Sequence, residues 1–437
     1  MIDNVLFVAP SAYPLGGVAT WLDYLLPGLA DRGWRPVLGL TAGHFHDVNR
    51  YREVHPWREC ISIENPTGTP EGRVRVLMDA IRKVRPRLVA VVNIPDTYAA
   101  VARMRAVGEF APHVVMTNHS MEEHYLQDAE TWSSVLDGLI YSNRLGCRLA
   151  EERAAFEPTR IHYAPYGVDL PSRISRVHPN DGVLRIAYSG RLDEFQKRAN
   201  DIPAILAGLA RLGIEYELLI AGAGPCEAAL KLRLGPQIES GRVRFMGVLN
   251  PSELGERVYS QADVLLVTSY WETGPIVIWE AMAHGLPVLT SSYLGSGLEG
   301  SLKDGKNCMM YPVGASDVAA LQLQRMQDAQ FRASLAAAGR LLVQERYTCH
   351  LSVQTWDACL RAVLETPIRR GAVGKRAGLP AGRLDRYLGP ERAETVRTLL
   401  GRGYRHAEPG GEWPHSHNAA GTAQDEFWRR AKLMDRS

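Results

Sequence analysis

Residues 262–292, ADVLLVTSYWETGPIVIWEAMAHGLPVLTSS, constrain this 437-residue chain more than any other stretch. The run Ala262–Ser269 is short, apolar and β-branched, the pattern of a strand buried on both faces of a parallel sheet. A helix follows, its start marked by Pro275 and its end by Gly285 and Pro287, and residues 287–292 read as the next strand. Ligands of open α/β sheets lie beyond the carboxyl ends of their strands, so this strand-helix-strand unit is expected to end in a site. Two carboxylates fall there, Glu272 on the turn and Glu280 a turn and a half into the helix. A helix N-terminus suits phosphate and carboxylates accept from hydroxyl groups, so a polyhydroxylated ligand carrying phosphate would use both. The spacing alone fits equally an ordinary turn acid and an exposed helix glutamate.

The length calls for two domains of ordinary size plus a tail. A net charge of +2 gives no reason to invoke nucleic acid. The six cysteines, at 60, 147, 226, 308, 349 and 359, form no C-x2-C pair and no zinc spacing, and read as reduced thiols of a cytoplasmic protein. Residues 1–10 lack a basic segment ahead of an apolar core, so they read as a strand and not a signal peptide. No apolar run reaches the roughly 18 residues of a membrane span, so a soluble chain is expected.

From the amino end, Val5–Ala9 reads as a buried strand and Leu22–Arg32 as an amphipathic helix closed by Gly33. Between them Tyr13-Pro-Leu-Gly16-Gly17 is a glycine turn ahead of a helix, either a plain tight turn or a close backbone approach to phosphate; it is not G-x-G-x-x-G. Further strands are predicted at 36–41, 88–92, 113–117, 138–142 and 161–163, an α/β rhythm of a doubly wound sheet. His119 follows one of them, on the ligand-bearing edge. Residues 73–87 carry six basic residues, with Val74, Leu77, Ile81 and Val84 on one face. They form either a core-facing helix with a solvated basic side or a surface that meets an anionic membrane.

A proline-containing polar stretch, residues 170–182, reads as an interdomain linker. The second half restarts with the strand Leu184–Ser189, then Gly190, Arg191 and Lys197: two cations after a glycine turn, which can clamp a diphosphate or simply lie solvated on a loop. A strand over 217–221 ends in the glycine turn Gly222–Pro225, Val243–Gly247 precedes the helix that returns to residues 262–292, and a closing helix is read over 344–364. Residues 367–437 differ: 14 Lys and Arg stand against 8 Asp and Glu, while the rest of the chain is slightly acidic, 36 against 40. Helices are predicted there over 391–400 and 425–433. His415 and His417 lack companions for a metal, and this extension carries no assignment.

Taken in order, these segments resemble the retaining, nucleotide-sugar-dependent glycosyltransferases of family 4, within the glycosyl transferases group 1, over roughly residues 4–365. Gly16-Gly17 before the helix, Tyr166-Gly-Val-Asp169 (Tyr where Asn is usual), Gly190-Arg191-Leu192 with Lys197, Gly222-Ala-Gly-Pro225 and Glu272 through Pro287 are similar to that family's motifs. Thr273 stands where Gly is usual. The implied fold is GT-B: two Rossmann-like, doubly wound parallel-sheet domains facing across a cleft. Residues 1–170 would form an acceptor domain, 183–345 a nucleotide-sugar domain, 346–366 a closing helix and 367–437 a basic extension.

The resemblance also implies roles. Arg191 and Lys197 would neutralise the leaving nucleoside diphosphate; Glu280 would accept from ribose hydroxyls and Glu272 from the donor sugar. The backbone around Gly274, Pro275 and Ile276 would support sugar or phosphate, with Gly16, Gly17, Gly190 and Gly222 close to the diphosphate and His119 lining the sugar site. The expected reaction moves a sugar from a nucleoside-diphosphate sugar to a hydroxyl of a saccharide, lipid-linked carrier or small aglycone. Attack is on the front face and retains configuration. Because no D-x-D clamp is present and the Arg/Lys pair carries charge, no metal or other cofactor is expected. The acceptor would be read by loops around Tyr13, His44–His46, Asn93–Pro95 and Met121–Tyr125. The expected location is cytoplasmic, with peripheral contact to the inner membrane face as an option. Two other readings stand beside this one: a GT-B nucleotide-sugar epimerase, which fits the Arg191/Lys197 and Glu272/Glu280 pattern poorly, and a non-catalytic nucleotide-sugar-binding or scaffold protein, separated from an enzyme by donor turnover.

Overall fold

The computed structural model describes residues 3–11, 16–42, 47–55, 57, 59–153, 156–174, 181–371, 382–404 and 422–436. The near-continuous apolar runs of the sequence become parallel strands, those in the middle of each sheet buried on both faces and the edge strands Cys60–Ile63, Ile161–Tyr163 and Val243–Gly247 partly exposed. In the first half these are β1 (Asp3–Pro10), β2 (Trp34–Thr41), β3 (Cys60–Ile63), β4 (Leu88–Val92), β5 (His113–Asn118), β6 (Gly138–Tyr141) and β7 (Ile161–Tyr163). They pair in the order β3-β2-β1-β4-β5-β6-β7, every ladder parallel. The second half has β8 (Leu184–Ser189), β9 (Tyr216–Ala221), β10 (Val243–Gly247), β11 (Val264–Val267), β12 (Val288–Ser291) and β13 (Met309–Tyr311). Their order is β10-β9-β8-β11-β12-β13, again all parallel. In each sheet the chain starts in the middle, works to one edge and then returns to build the other. The reversal falls between β1 and β4 and between β8 and β11, and loops leaving those strands diverge to open a crevice. The edge strands β3 and β13, of four and three residues, escape the sequence reading.

The chain divides into two compact units, residues 1–164 with 353–430, and residues 165–352 with 431–437. The first is thus discontinuous, and sequence order carries no sign of it. Its late segment is fastened at several points. Trp34 donates its Nε1–H to Asp357 at 2.7 Å, Trp356 is fully buried with its ring 4.7 Å from that of Trp21, and Gly28 leaves room for Val353 where a Cβ would collide with that side chain. The predicted closing helix over 344–364 proves to be parts of two, Ala329–Arg346 and Cys349–Glu365. The chain breaks at Tyr347–Thr348, where Thr348 forms a parallel bridge with Val168 and Gly167 packs directly on the Thr348 backbone.

The extension is ordered in part. Helices Gly382–Leu388 and Pro390–Leu400 pack on the first unit. There the buried Glu394 accepts hydrogen bonds from the hydroxyls of Thr67 and Thr69, and Arg397 pairs with Asp385 at 2.6 Å. The helix Pro70–Val84 buries Val74, Leu77 and Ile81 as its spacing predicts. Three of its basic residues form ion pairs inside the unit: Arg73 with Asp96 at 2.6 Å, Arg75 with Glu71, and Arg82 with Asp79 and Glu109.

Candidate functional site

In the second unit the loops after β8 and β11 leave the sheet at its reversal point. β8 ends at Ser189, and Gly190 continues it at φ +150. A Cβ on Gly222, after β9, would overlap the Gly190 carbonyl oxygen, and Gly222 itself adopts φ +132. These two glycines are required by this close approach of neighbouring loops and by the left-handed backbone.

The loop after Gly190 is organised by Asp193. Its Oδ1 accepts from the amides of Gln196 and Lys197 at 2.8 and 3.1 Å, and its Oδ2 accepts from Arg191 Nε at 2.7 Å. Burial works to raise this carboxyl, but the Arg191 and backbone hydrogen bonds prevail and hold it below its ordinary value. Arg191 also donates to Gln196 Oε1 at 2.9 Å while its side chain stays half exposed, 53%. Lys197 turns inward, where its Nζ lies 2.6 Å from Glu272 Oε1. Thr268 fixes the same loop by donating to the Lys197 carbonyl at 2.5 Å.

Glu272 is thereby held on several sides. Ser269, at the end of β11, donates to Oε1 at 2.6 Å, and Gln196 reaches Oε2 at 3.4 Å. The Glu272 amide donates to the Leu294 carbonyl at 3.2 Å, and Leu294 donates back to the Tyr270 carbonyl at 2.9 Å. Its side chain is 5% exposed against 17% for Lys197, so the pair is stored in a largely dry setting.

The following helix is Ile276–Ala283, with Pro275 at its N-cap and Gly285, at φ +68, closing it. The amide of Ile276 already donates to the Gly274 carbonyl at 2.8 Å, a local turn that tightens the helix entry. A Cβ on Gly274 would overlap the ring of Tyr166, which is 4% exposed. The tyrosine that departs from the expected Asn is therefore a packing partner of the turn that carries Glu272.

Glu280, on the fifth residue of the helix, accepts from the Tyr259 hydroxyl at 3.0 Å. Burial pushes its carboxyl up to about 7, against the lowering effect of that hydrogen bond. Burial and the nearby Glu280 charge push the Tyr259 phenol well above its ordinary value, so it remains the donor. Arg191, Lys197, Glu272 and Glu280, with Gly190, Gly222, Gly274, Pro275 and Ile276, thus stand on one edge of one unit. Ser269, Asp193, Gln196 and Tyr259, which hold them, were missed by the sequence reading: ordinary polar residues at strand ends carry no spacing signal.

Gly16, Gly17 and His119 lie in the first unit. Gly16 is the extended N-cap and Gly17 the first residue of the helix Gly17–Ala30. His119 follows β5, with its ring 4.6 Å from that of Trp21 and stacked at 6.4 Å on Trp356. Burial lowers its imidazole to about 3, so it is neutral at ordinary pH. Thr117 donates its one hydroxyl proton to the Val91 carbonyl at 3.0 Å, so the 2.9 Å contact assigns the His119 proton to Nε2 and a lone pair to Nδ1. In this tautomer His119 donates through Nε2 to the Thr117 oxygen, and Nδ1 carries the acceptor lone pair.

Of the four acceptor loops expected, Tyr13 and His44–His46 lie outside the described residues, as do His415 and His417. Asn93 adopts φ +59 at the end of β4 with its Oδ1 buried and unpartnered. Met121 and Tyr125 are buried, and the segment is covered by the last helix: Trp428 donates to the Met121 carbonyl at 3.3 Å and the Glu123 amide to Gln424 Oε1 at 3.0 Å. That part of the predicted acceptor surface is taken by the extension. Among the described residues no cluster of three or more His, Cys, Asp or Glu could hold a metal, and no helix is long and apolar enough to cross a membrane.

Residues 184–328 match the family model described as glycosyl transferases group 1. Lipopolysaccharide 1,6-galactosyltransferase of Salmonella typhimurium is 34% identical over 135 residues, which cover 30% of this chain and 36% of that protein. The amylovoran biosynthesis glycosyltransferase AmsK of Erwinia amylovora is 28% identical over 201 residues, covering 44% and 47%. Each match spans less than half the length of the curated relative. Solved structures align over far more: the galactosyltransferase WaaB superposes with a TM-score of 0.64 at 18% identity, covering 82% of this chain and 99% of the other. HepE of Anabaena, in complex with UDP and glucose, gives 0.66 at 16% identity over 82% and 99%. At such identities the likeness speaks for the fold, and the fold agrees with the motif order: residues 184–328 match the glycosyl transferases group 1, on a chain with the GT-B fold.

Proposed function

We propose that this chain is a retaining glycosyltransferase that moves a sugar from a nucleoside-diphosphate sugar to an acceptor hydroxyl, with selection of the acceptor by the first unit. The observation that carries the reading is the juxtaposition, at the β8/β11 reversal, of Lys197 on Glu272 with Glu280 one and a half turns along the next helix. A diphosphate needs a cation, a sugar needs an acceptor for its hydroxyls, and a ribose needs a second one. All three are present on one sheet edge. Arg191, half exposed and bonded among the described residues to Asp193 and Gln196, can swing onto a phosphate as a bidentate donor.

In the reaction the bond from the anomeric carbon to the diphosphate oxygen breaks while the acceptor oxygen bonds to that carbon on the same face. The acceptor proton passes to the departing phosphate oxygen. Negative charge grows on the diphosphate as it leaves, and Lys197 and Arg191 stabilise it there, which is where preorganised charge lowers a barrier. Glu272 already accepts from Lys197 and Ser269. A carboxylate so engaged suits binding sugar hydroxyls better than forming a covalent sugar intermediate. The likeness to galactosyltransferases and to a structure that holds UDP and glucose supports a nucleotide-sugar donor.

Thermal unfolding in the presence of UDP, GDP, ADP and their common sugar conjugates, for wild type and Lys197→Ala, tests the reading. A ligand at 100 times its dissociation constant adds about 2.7 kcal/mol to the native state. One nucleotide series is expected to stabilise the wild type and to lose most of that effect in the variant. Stabilisation by none overturns the enzyme; binding without turnover in any acceptor screen turns it into a binding protein.

A further inference from the structure

The last residues of the chain reach the turn that carries Glu272. Within the second unit, Asp435 accepts from two amides at once, Gly295 N–H on Oδ2 at 2.7 Å and Leu298 N–H on Oδ1 at 2.9 Å. The contact is close: a Cβ on Gly297 would overlap the Asp435 carbonyl oxygen, so glycine is needed where the tail lies on the loop. One helical turn earlier, Lys432 holds its Nζ 4.9 Å from the centre of the Tyr270 ring. The helix buries Ala431 and Met434 next to these two contacts.

Both contacts lead to Glu272. Gly295, at φ +106, starts the short turn that Asp435 grips, and Leu294 beside it is in register with Trp271 through an isolated parallel bridge. Leu294 takes the Glu272 amide and gives its own to Tyr270. The Tyr270 amide in turn donates to the Gln196 carbonyl at 2.7 Å, next to Lys197. The carboxylate of Asp435 and the ammonium of Lys432 thus clamp the strip 270–272 and its partner strip 293–295 from outside. A turn of three residues tied by one bridge is a weak support for a buried ion pair, and two extra fixed points remove freedom from it.

We propose that Asp435 and Lys432, in an extension outside the matched family region, are positioning residues that set the orientation of Glu272 toward the donor sugar. The inference rests on the donor-site reading of Glu272 given above. It distinguishes the sugar from the nucleotide, because Glu280 sits on the helix body and receives no contact from this clamp.

Two measurements on the full-length chain test it, for Asp435→Ala, Asp435→Asn and Lys432→Met. The first is amide hydrogen exchange over residues 270–274 and 293–298. The clamp predicts about tenfold faster exchange there in Asp435→Ala, a smaller rise in Asp435→Asn, which keeps one acceptor oxygen, and unchanged protection in β8 and β9. Unchanged exchange at 270–274 in both Asp435→Ala and Lys432→Met overturns the proposal, whatever the nucleotides do. The second compares a panel of UDP-glucose, GDP-mannose and ADP-glucose with free UDP, GDP and ADP. In Asp435→Ala the effective nucleotide-sugar is expected to lose about tenfold in kcat/KM, mostly in kcat, while the matching free nucleotide keeps its affinity within about twofold. An equal loss for nucleotide and nucleotide-sugar, or none for either, refutes a role specific to the sugar. If the wild type binds no nucleotide, the glycosyltransferase reading falls and the exchange data alone judge the clamp.

Discussion

Glu280 makes the proposed donor site sensitive to pH, in a direction that its surroundings fix. Burial holds its carboxyl at about 7, and only the ionised form accepts from both hydroxyls of a ribose. With that value the ionised share is about 90% at pH 8, half at pH 7 and about 10% at pH 6, so affinity for the donor falls roughly tenfold from pH 8 to pH 6. The ligand must be a nucleotide-sugar, because a free nucleoside diphosphate ends in a phosphate that itself titrates near 6. Stability of the unliganded protein is a poorer readout. A carboxyl raised from its usual value makes the fold more stable below about 7 and less so above it. His119, lowered to about 3, does the opposite: it opposes the fold as pH drops below the ordinary imidazole value, because the buried ring cannot take up the proton that the unfolded chain binds. Calorimetric titration at pH 6, 7 and 8 isolates the binding term. Tyr259→Phe removes the hydrogen bond that favours the charged form and should move the midpoint up by about one pH unit. Glu280→Gln should flatten the profile at a weak plateau. A wild-type affinity that is constant from pH 6 to 8, or a Glu280→Gln variant that keeps the slope, refutes the reasoning.

Removing the Lys197 ammonium leaves Glu272 as a buried charge without its cation. Lys197→Ala is expected to cost about 3 kcal/mol in urea unfolding before any ligand is added, and the double variant with Glu272→Gln to recover most of it. Gly222→Ala should destabilise by more than about 3 kcal/mol and abolish nucleotide binding, whereas Gly213→Ala, at φ +69 with open space around it, should cost about 1 kcal/mol; thermal melts of both decide whether the overlap with Gly190 or the backbone angle dominates. Glu394→Leu removes the carboxylate that accepts from the hydroxyls of Thr67 and Thr69 and that faces Arg397, so the pair of helices 382–400 should come loose. Limited proteolysis then cuts the extension well before the core, and equal resistance of variant and wild type counts against the anchor.

Much of this architecture is legible in the sequence, because parallel strands buried on both faces leave continuous apolar runs. Leu88–Val92 and Leu184–Ser189, buried throughout, are read to the residue, as is the shorter, half-buried Ile161–Tyr163. So are the charges of the site, since Lys197, Glu272 and Glu280 sit in ordered motifs around glycines whose backbone angles need them. The supports are not. Tyr259 is one of seventeen tyrosines and Ser269 one serine among many; only the fold brings each to its carboxylate. The break at Tyr347 is likewise invisible, because no Gly or Pro marks it and it lies where Thr348 pairs with Val168, far away in sequence. The course of the extension depends on buried polar contacts such as that of Glu394, which look like surface charges when read in a line.

The discontinuity of the first unit bears on how the molecule is made. On a ribosome, residues 1–164 emerge and collapse while Trp356, Asp357 and Val353 are still unsynthesised, so the Trp21 ring, the Trp34 Nε1 and the hollow at Gly28 wait without their partners through nearly two hundred residues of translation. The sheet of the second unit is complete once β13 has emerged, and only the short segment 431–437 joins that unit later. The Trp21 ring therefore waits longer for Trp356 than any strand of the second sheet waits for its neighbours.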